Sequence, residues 1–396
     1  MNDSIFTDLH NKAEEFVSIT RLVNESSKLR KTHSEQAIKL IRQSMEISDI
    51  LTQEFDIISR ANKTTRDQDT MVQNYCQILE SNIRRQREII RDLMGGTSID
   101  RALLEQLEDL AQGLSQPVQK AIILLHIIIQ NDNDIILMDN LIINRKKFQR
   151  ESIDQLKKLA FRTLEDSDNA IRGSSSNLKR GIQLVKRLKD ARRYIEENNR
   201  DELLQLIDEA HTGWNISVAV NRSSITQLVF AEQVNQFTEK LHEDSIAIRD
   251  LVVAKHDLFN RNLELMTELT VILSLEIKDF LPALNLVDEV GYDLSLPKDI
   301  RFKIGDLTSY VAIACADISF VSNLNFDMTD SINLNADLEK KSIDLTKIKL
   351  EYFGRIREEV RNMTEVTKYP IEGSGRNIDN GKMLESYLRE MLRQIA

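Results

Sequence analysis

The sequence predicts an all-α fold, an elongated bundle of about four long antiparallel amphipathic helices with short accessory helices. Three observations carry this. Glycine and proline are scarce, 12 and 4 in 396 residues, so few positions break a helix. Charged residues make up 29% and aromatics only 5%, the balance of long solvated helices and not of strands. Apolar residues also recur at alternating steps of three and four over long distances, which places them on one helical stripe.

The first helix is expected from about Asp3 to Leu93. Its stripe is one row of Leu51, Ile58, Thr65, Val72, Leu79, Gln86 and Leu93 beside a second of Phe55, Asn62, Asp69, Cys76, Ile83 and Ile90. Polar members of such rows weaken a seam but fix its register. Gly95-Gly96 ends this helix, and Thr97 with Asp100 has the spacing of a capping box. A short helix is then expected to Gln112, ended by Gly113, with Ser115 and Pro117 opening the next. That third helix holds the most apolar part of the chain, Val118 to Ile129 and Ile135 to Ile143, divided by Gln130-Asn131-Asp132-Asn133-Asp134. Each half is shorter than the roughly 20 apolar residues of a membrane span. Gly173-Ser174-Ser175-Ser176 is the expected mid-chain break.

A basic amphipathic helix follows, to about Glu197. Asn199 and Glu202 form a second capping pair. The next long helix is expected from Trp214 to Phe280, with Pro282 as its stop and a wide face that includes Ile248, Leu251, Val252, Leu258, Phe259, Leu265 and Met266. Ser295 and Pro297 open the last one, whose stripe reads Ile304, Leu307, Val311, Ala314, Ile318, Val321, Asn325, Met328, Ile332 and Asn335. Pro370, Gly373, Gly375 and Gly381 predict a loop before a short terminal helix. The resulting division is 1–172 as a long helix with its return, 173–212 as a basic connector, 213–366 as a second hairpin packing on the first, and 367–396 as loop and short helix. No repeat is visible at a solenoid period.

Chemistry is thin. Glu239 and His242 have the spacing of a di-metal bundle motif, but a second copy and two further inward glutamates are missing. His126 lies within the apolar run and is expected in the core. Nucleophile elbows, P-loops and dinucleotide fingerprints are absent. Cys76 and Cys315 both fall on the stripe and read as buried apolar residues of a reducing compartment. The first residues carry neither a basic nor an apolar leader segment. A net charge of -10 argues against nucleic acid as partner.

The strongest surface feature is the cluster Lys179, Arg180, Lys186, Arg187, Lys189, Arg192 and Arg193, with Leu178, Ile182, Leu184, Val185 and Leu188 on the other side of the helix. It is either a face paired with acids on neighbouring helices or a docking surface for an anionic partner or lipid. The expected function is a non-enzymatic, cytoplasmic, coiled-coil-like scaffold that binds protein partners or itself, without cofactor or metal. The alternatives are a membrane-acting helical protein of the pore-forming kind and a metal-binding bundle enzyme. The heptad texture is similar to that of the cytoplasmic hairpins of bacterial chemoreceptors, whose glycine-containing signalling tip is absent here.

Overall fold

The computed structural model describes residues 3–96, 99–291 and 296–395, with side chains throughout except at 3, 4, 274–284, 286–291, 318, 322 and 325. The fold is all-α. Four long helices, α1 (Asp3–Met94), α2 (Arg101–Leu188), α4 (Arg200–Gly291) and α5 (Lys298–Gln394), are accompanied by one short helix, α3 (Ala191–Glu196).

The chain forms two compact units, and each is an antiparallel four-helix bundle. One comprises Met1–Asp49, Lys147–Ile246 and Lys347–Ala396; the other comprises Ile50–Lys146 and Ala247–Thr346. The expected seams are present in the second. Every member of the two α1 rows between Leu51 and Leu93 is buried, polar ones included. So are the α5 positions from Ile304 to Asn335, apart from Ile318 and Asn325, whose side chains lie outside the described residues. These rows meet Leu104, Leu107, Val118, Leu125 and Ile128 of α2 and Phe259, Met266, Leu269 and Leu273 of α4 in one apolar cluster. The wide α4 face is narrower than its sequence implies. Ile248, Val252, Phe259 and Met266 are buried, while Leu251, Leu258 and Leu265 are half-buried flanks. The inner row continues through Lys255 and Asn262, which are buried.

Several expected breaks are continuous helix. α2 runs through Gly113, Pro117 and Gly173-Ser174-Ser175-Ser176. α4 runs through Gly213 and past Pro282. α5 runs through Pro370, Gly373, Gly375 and Gly381, so the loop expected within 367–396 is helical. Burial explains this. An interior proline costs about 3 kcal/mol, but Leu114, Val118, Ala121 and Leu125 around Pro117 are all buried, and a buried Leu or Val side chain contributes about 1.5–3 kcal/mol.

The real break is at 189–199. It interrupts the expected basic helix after Leu188, and α3 then ends in a Schellman motif. Asn198 is left-handed, with φ 58°. Its N–H donates to Ile195 O at 3.1 Å, and that of Asn199 to Tyr194 O at 2.7 Å. Asn199 then caps α4, its Oδ1 accepting from Glu202 N at 3.3 Å. Asp100 caps α2 by accepting from Ala102 N at 2.9 Å; Thr97 and Ser295 lie outside the described residues.

A pseudo-symmetric clasp and buried ionic layers as the candidate functional site

The glycines expected to break α2 and α5 bring helices together. In the unit that contains both termini, Gly173 of α2 lies against Val220 of α4, and Gly373 of α5 lies against Val23 of α1. A Cβ on either glycine would sit 2.6 Å from the valine methyl. Beside each contact an asparagine bridges helices. Asn24 Nδ2 of α1 donates to Ser174 Oγ of α2 at 2.9 Å. Asn221 Nδ2 of α4 donates to Ser374 Oγ of α5 at 3.0 Å and Ile371 O at 2.8 Å. Asn177 Nδ2 donates to Ser217 Oγ at 2.9 Å, and Asn377 Nδ2 to Thr20 Oγ1 at 2.8 Å. The network is two-fold: α1 corresponds to α4 and α2 to α5.

The sequence carries the same signal. Ile171, Gly173, Ser174, Asn177, Gly181, Leu184 and Leu188 recur at identical spacing as Ile371, Gly373, Ser374, Asn377, Gly381, Leu384 and Leu388. Ile19, Val23, Asn24, Ser26 and Ser27 recur as Ile216, Val220, Asn221, Ser223 and Ser224. A search at solenoid periods misses this, because the period is half the chain. The correspondence is strongest where packing is tightest, since a close helix crossing tolerates few residue types.

The other unit buries charge. Lys255 of α4, fully buried, ion-pairs with both Asp139 of α2 and Glu339 of α5. Asn62 Nδ2 of α1 also donates to Asp139 Oδ2 at 2.7 Å, and Asn335 Nδ2 donates to Asn62 Oδ1 at 3.3 Å. One ammonium therefore serves two carboxyls in a single layer. Burial pushes the Glu339 carboxyl up to about 7 despite the lysine beside it. A neighbouring layer holds Asp69 and Asp132, which face each other across α1 and α2. Burial, then the adjacent Asp132, hold Asp69 well above the usual carboxylate range, and burial also raises Asp132. Asn262 Nδ2 donates to Asp132 Oδ1 at 2.9 Å, and Asn262 Oδ1 accepts from Asn131 Nδ2 at 2.7 Å. Such networks fix helix register and partner choice at a cost in stability.

The basic residues divide into two sets. Arg187 is held by Glu202 at 2.5 Å and Glu209 at 2.6 Å, both on α4. Arg192 pairs with Glu196 at 3.3 Å, and Arg193 with Asp190 at 3.4 Å. Lys179, Lys186 and Lys189 are exposed, and Arg180 is half-buried; none of these four has an ion pair among the described residues. The apolar side is less regular than expected, for Ile182 is 50% exposed.

The remaining candidates do not assemble. Glu239 faces Arg357 at 3.5 Å and accepts from Asn235 Nδ2 at 3.2 Å, and among the described residues no three His, Cys, Asp or Glu converge as metal ligands. His126 is exposed and pairs with Gln130 at 3.2 Å, not in the core. Cys76 is buried but Cys315 only half-buried, and neither forms a disulfide among the described residues. Asn131 and Asp132 are buried within the polar interruption of α2, while Ile123 and Leu137 point outward.

No protein-family model matches the chain, and no curated protein matches it.

Proposed function

We propose that the protein is a non-enzymatic, cytoplasmic scaffold of coiled-coil character that binds a helical protein partner or a second copy of itself. One observation carries the reading. In the unit that holds residues 50–146, the outer face of α1 presents Ile50, Ile57, Met71 and Ile78, each between 45% and 53% exposed and at heptad-compatible spacing. Repeated apolar residues in that register suit the side of another helix, not a small substrate. The core polar residues support the same reading, since their bonds run from helix to helix and set register. Lys179, Lys186 and Lys189 add a modest peripheral contact for an anionic partner.

The test is Ile57→Glu with Met71→Glu, followed by sedimentation and crosslinking. Both positions are exposed, so helicity and melting should stay within about 0.5 kcal/mol of wild type, while association is lost. A wild-type chain that remains monomeric and binds no helical partner would refute the proposal.

A second reading rests on α2. It contains a stretch with mean hydropathy 1.4, long and apolar enough to cross a membrane by composition, of which 39% is buried in the fold. Ile123, Leu137 and Leu141, from the apolar runs 118–129 and 135–143 of this helix, are exposed. Dye release from liposomes on adding the protein would favour this reading over the scaffold.

A further inference from the structure

The exposed apolar stripe of α1 has a counterpart on α5, in the same unit. Ile313, Phe320 and Leu334 stand at multiples of seven and are between 42% and 63% exposed. Phe320 meets Tyr75 of α1, with ring centroids 4.6 Å apart. Met71 lies four residues before Tyr75 and Ile78 three after it, so both share its side of α1. Glu54 and Asn82 belong to the row of Tyr75 and reach α5 as well. Glu54 pairs with Lys341 at 2.5 Å, and Asn82 Nδ2 donates to Asp317 Oδ2 at 3.5 Å. Leu324, seven residues after Asp317, is half-buried and continues the floor between them. The two stripes are therefore the banks of one groove along the α1–α5 contact. Scattered exposed apolar residues are ordinary on a protein surface; two heptad rows converging on one groove mark an interaction site.

Charge narrows the occupant. No Lys or Arg occurs from Ile304 to Glu339, whereas Asp327, Asp330 and Asp337 are exposed around Leu334. None of these three has an ion pair among the described residues. A second copy seated by the same face would set acid against acid, which disfavours it. A helix with basic flanks supplies the missing counter-charge.

We infer that the α1–α5 groove docks a basic amphipathic helix of a partner protein. Its apolar stripe lies between the two banks, and its Lys or Arg side chains stand over Asp327, Asp330 and Asp337. Ile313 to Leu334 spans about 32 Å at 1.5 Å per residue, room for a helix of about three heptads. The inference rests on the scaffold reading and narrows it to a partner other than a second copy.

The experiment is fluorescence anisotropy on the full chain. The probe is a labelled synthetic peptide three heptads long, with Leu at a and d and Lys at e and g; the comparison peptide carries Glu in place of Lys. Wild type should bind the Lys peptide and not the Glu peptide. Phe320→Gln with Leu334→Gln, or Met71→Gln with Ile78→Gln, should each weaken binding at least about tenfold. Ile123→Gln with Leu137→Gln on α2 should leave it nearly unchanged. All six positions are exposed, so melting followed by circular dichroism should show every variant folded. Asp327→Lys with Asp330→Lys should shift the preference toward the Glu peptide. An unchanged preference would mean that the net charge of -10, and not the groove, attracts the probe, and would overturn the inference. So would a wild type that does not bind the Lys peptide. If only the α1 pair weakens binding, the groove is refuted while the scaffold reading stands. Self-association of wild type that Phe320→Gln with Leu334→Gln abolishes would make the occupant a second copy and overturn the basic partner.

Discussion

Replacing glycine by alanine should have opposite signs at two pairs of helical positions. In a helix interior the exchange is favourable by about 1 kcal/mol, because alanine loses less backbone entropy. At Gly305 and Gly354 of α5 nothing lies within 4 Å of where a Cβ would be, so alanine should stabilise by about 0.5–1 kcal/mol. At Gly173 and Gly373 the new Cβ would lie 2.6 Å from a methyl of Val220 or Val23. A valine in a helix has one strongly preferred rotamer, so the methyl cannot turn aside and the helices must separate. Overpacking of this kind costs about 1–3 kcal/mol, which leaves a net loss of up to about 2 kcal/mol. Because the two sites are related by the pseudo-two-fold, their losses should agree to within a factor of about two. Urea unfolding followed by circular dichroism measures all four variants. Gains at all four positions would show that the crossings are looser than the structure has them, and a loss at Gly173 alone would refute the symmetry.

Other outcomes can be stated briefly. Glu339 has a folded pKa raised from its usual 4.5 to about 7; its contribution to stability is therefore complete below pH 4.5 and lost as pH rises through 7. That loss is about 3 kcal/mol at 1.36 kcal/mol per pH unit, and Glu339→Gln should flatten this part of the decline between pH 5 and 8, so parallel wild-type and variant curves would contradict the burial argument. Lys255→Met leaves Asp139 and Glu339 without their shared cation and should cost about 3–5 kcal/mol in denaturant titrations at pH 8, with much of the loss recovered at pH 5. Met266→Asp should cost several kcal/mol and Glu264→Lys almost nothing, because Met266 is fully buried and Glu264 exposed; comparable melting temperatures would place the core on a different face. Arg187→Gln should lower stability by about 1 kcal/mol, since it removes bonds to two half-buried glutamates, whereas Lys179→Gln with Lys186→Gln should change only salt-sensitive binding to anionic vesicles.

The α1 and α5 seams could be read from the sequence because the three-four rule tests every seventh residue against its neighbours, and polar exceptions such as Asn62 and Asp69 do not disturb its phase. The helix ends were legible only where a side chain completes the cap, as at Asn199. Glycine and proline misled, because local propensity speaks for an isolated segment, whereas Gly173 and Pro117 sit in bundles where neighbouring helices bury both sides. Lys255 escaped notice for a related reason: a lysine at an apolar position looks like the edge of a stripe until the two carboxyls that meet it, far away in sequence, are placed in the same layer. The clasp was visible in principle, as two matching strings half a chain apart, but a match of that length gains meaning only once Asn24 and Asn221 are seen making the same bonds.

A bundle whose two halves share a two-fold set of helix contacts is, physically, close to a dimer with a tether. The tether is short, from Lys189 to Asn199, so each hairpin meets the other at an effective concentration of order millimolar or higher. Two consequences follow for how such a molecule can change. A true homodimer alters both subunits with every substitution, and a charge placed near the axis would face its own copy. A tethered pair can alter one half alone. Buried Arg30 is such a departure, since the register that matches Asn24 of α1 to Asn221 of α4 puts Gln227 at its equivalent position: a symmetric dimer would bury two guanidiniums, whereas here a single one is admitted. Fusion thus releases the axis of the bundle from the rule that like must face like.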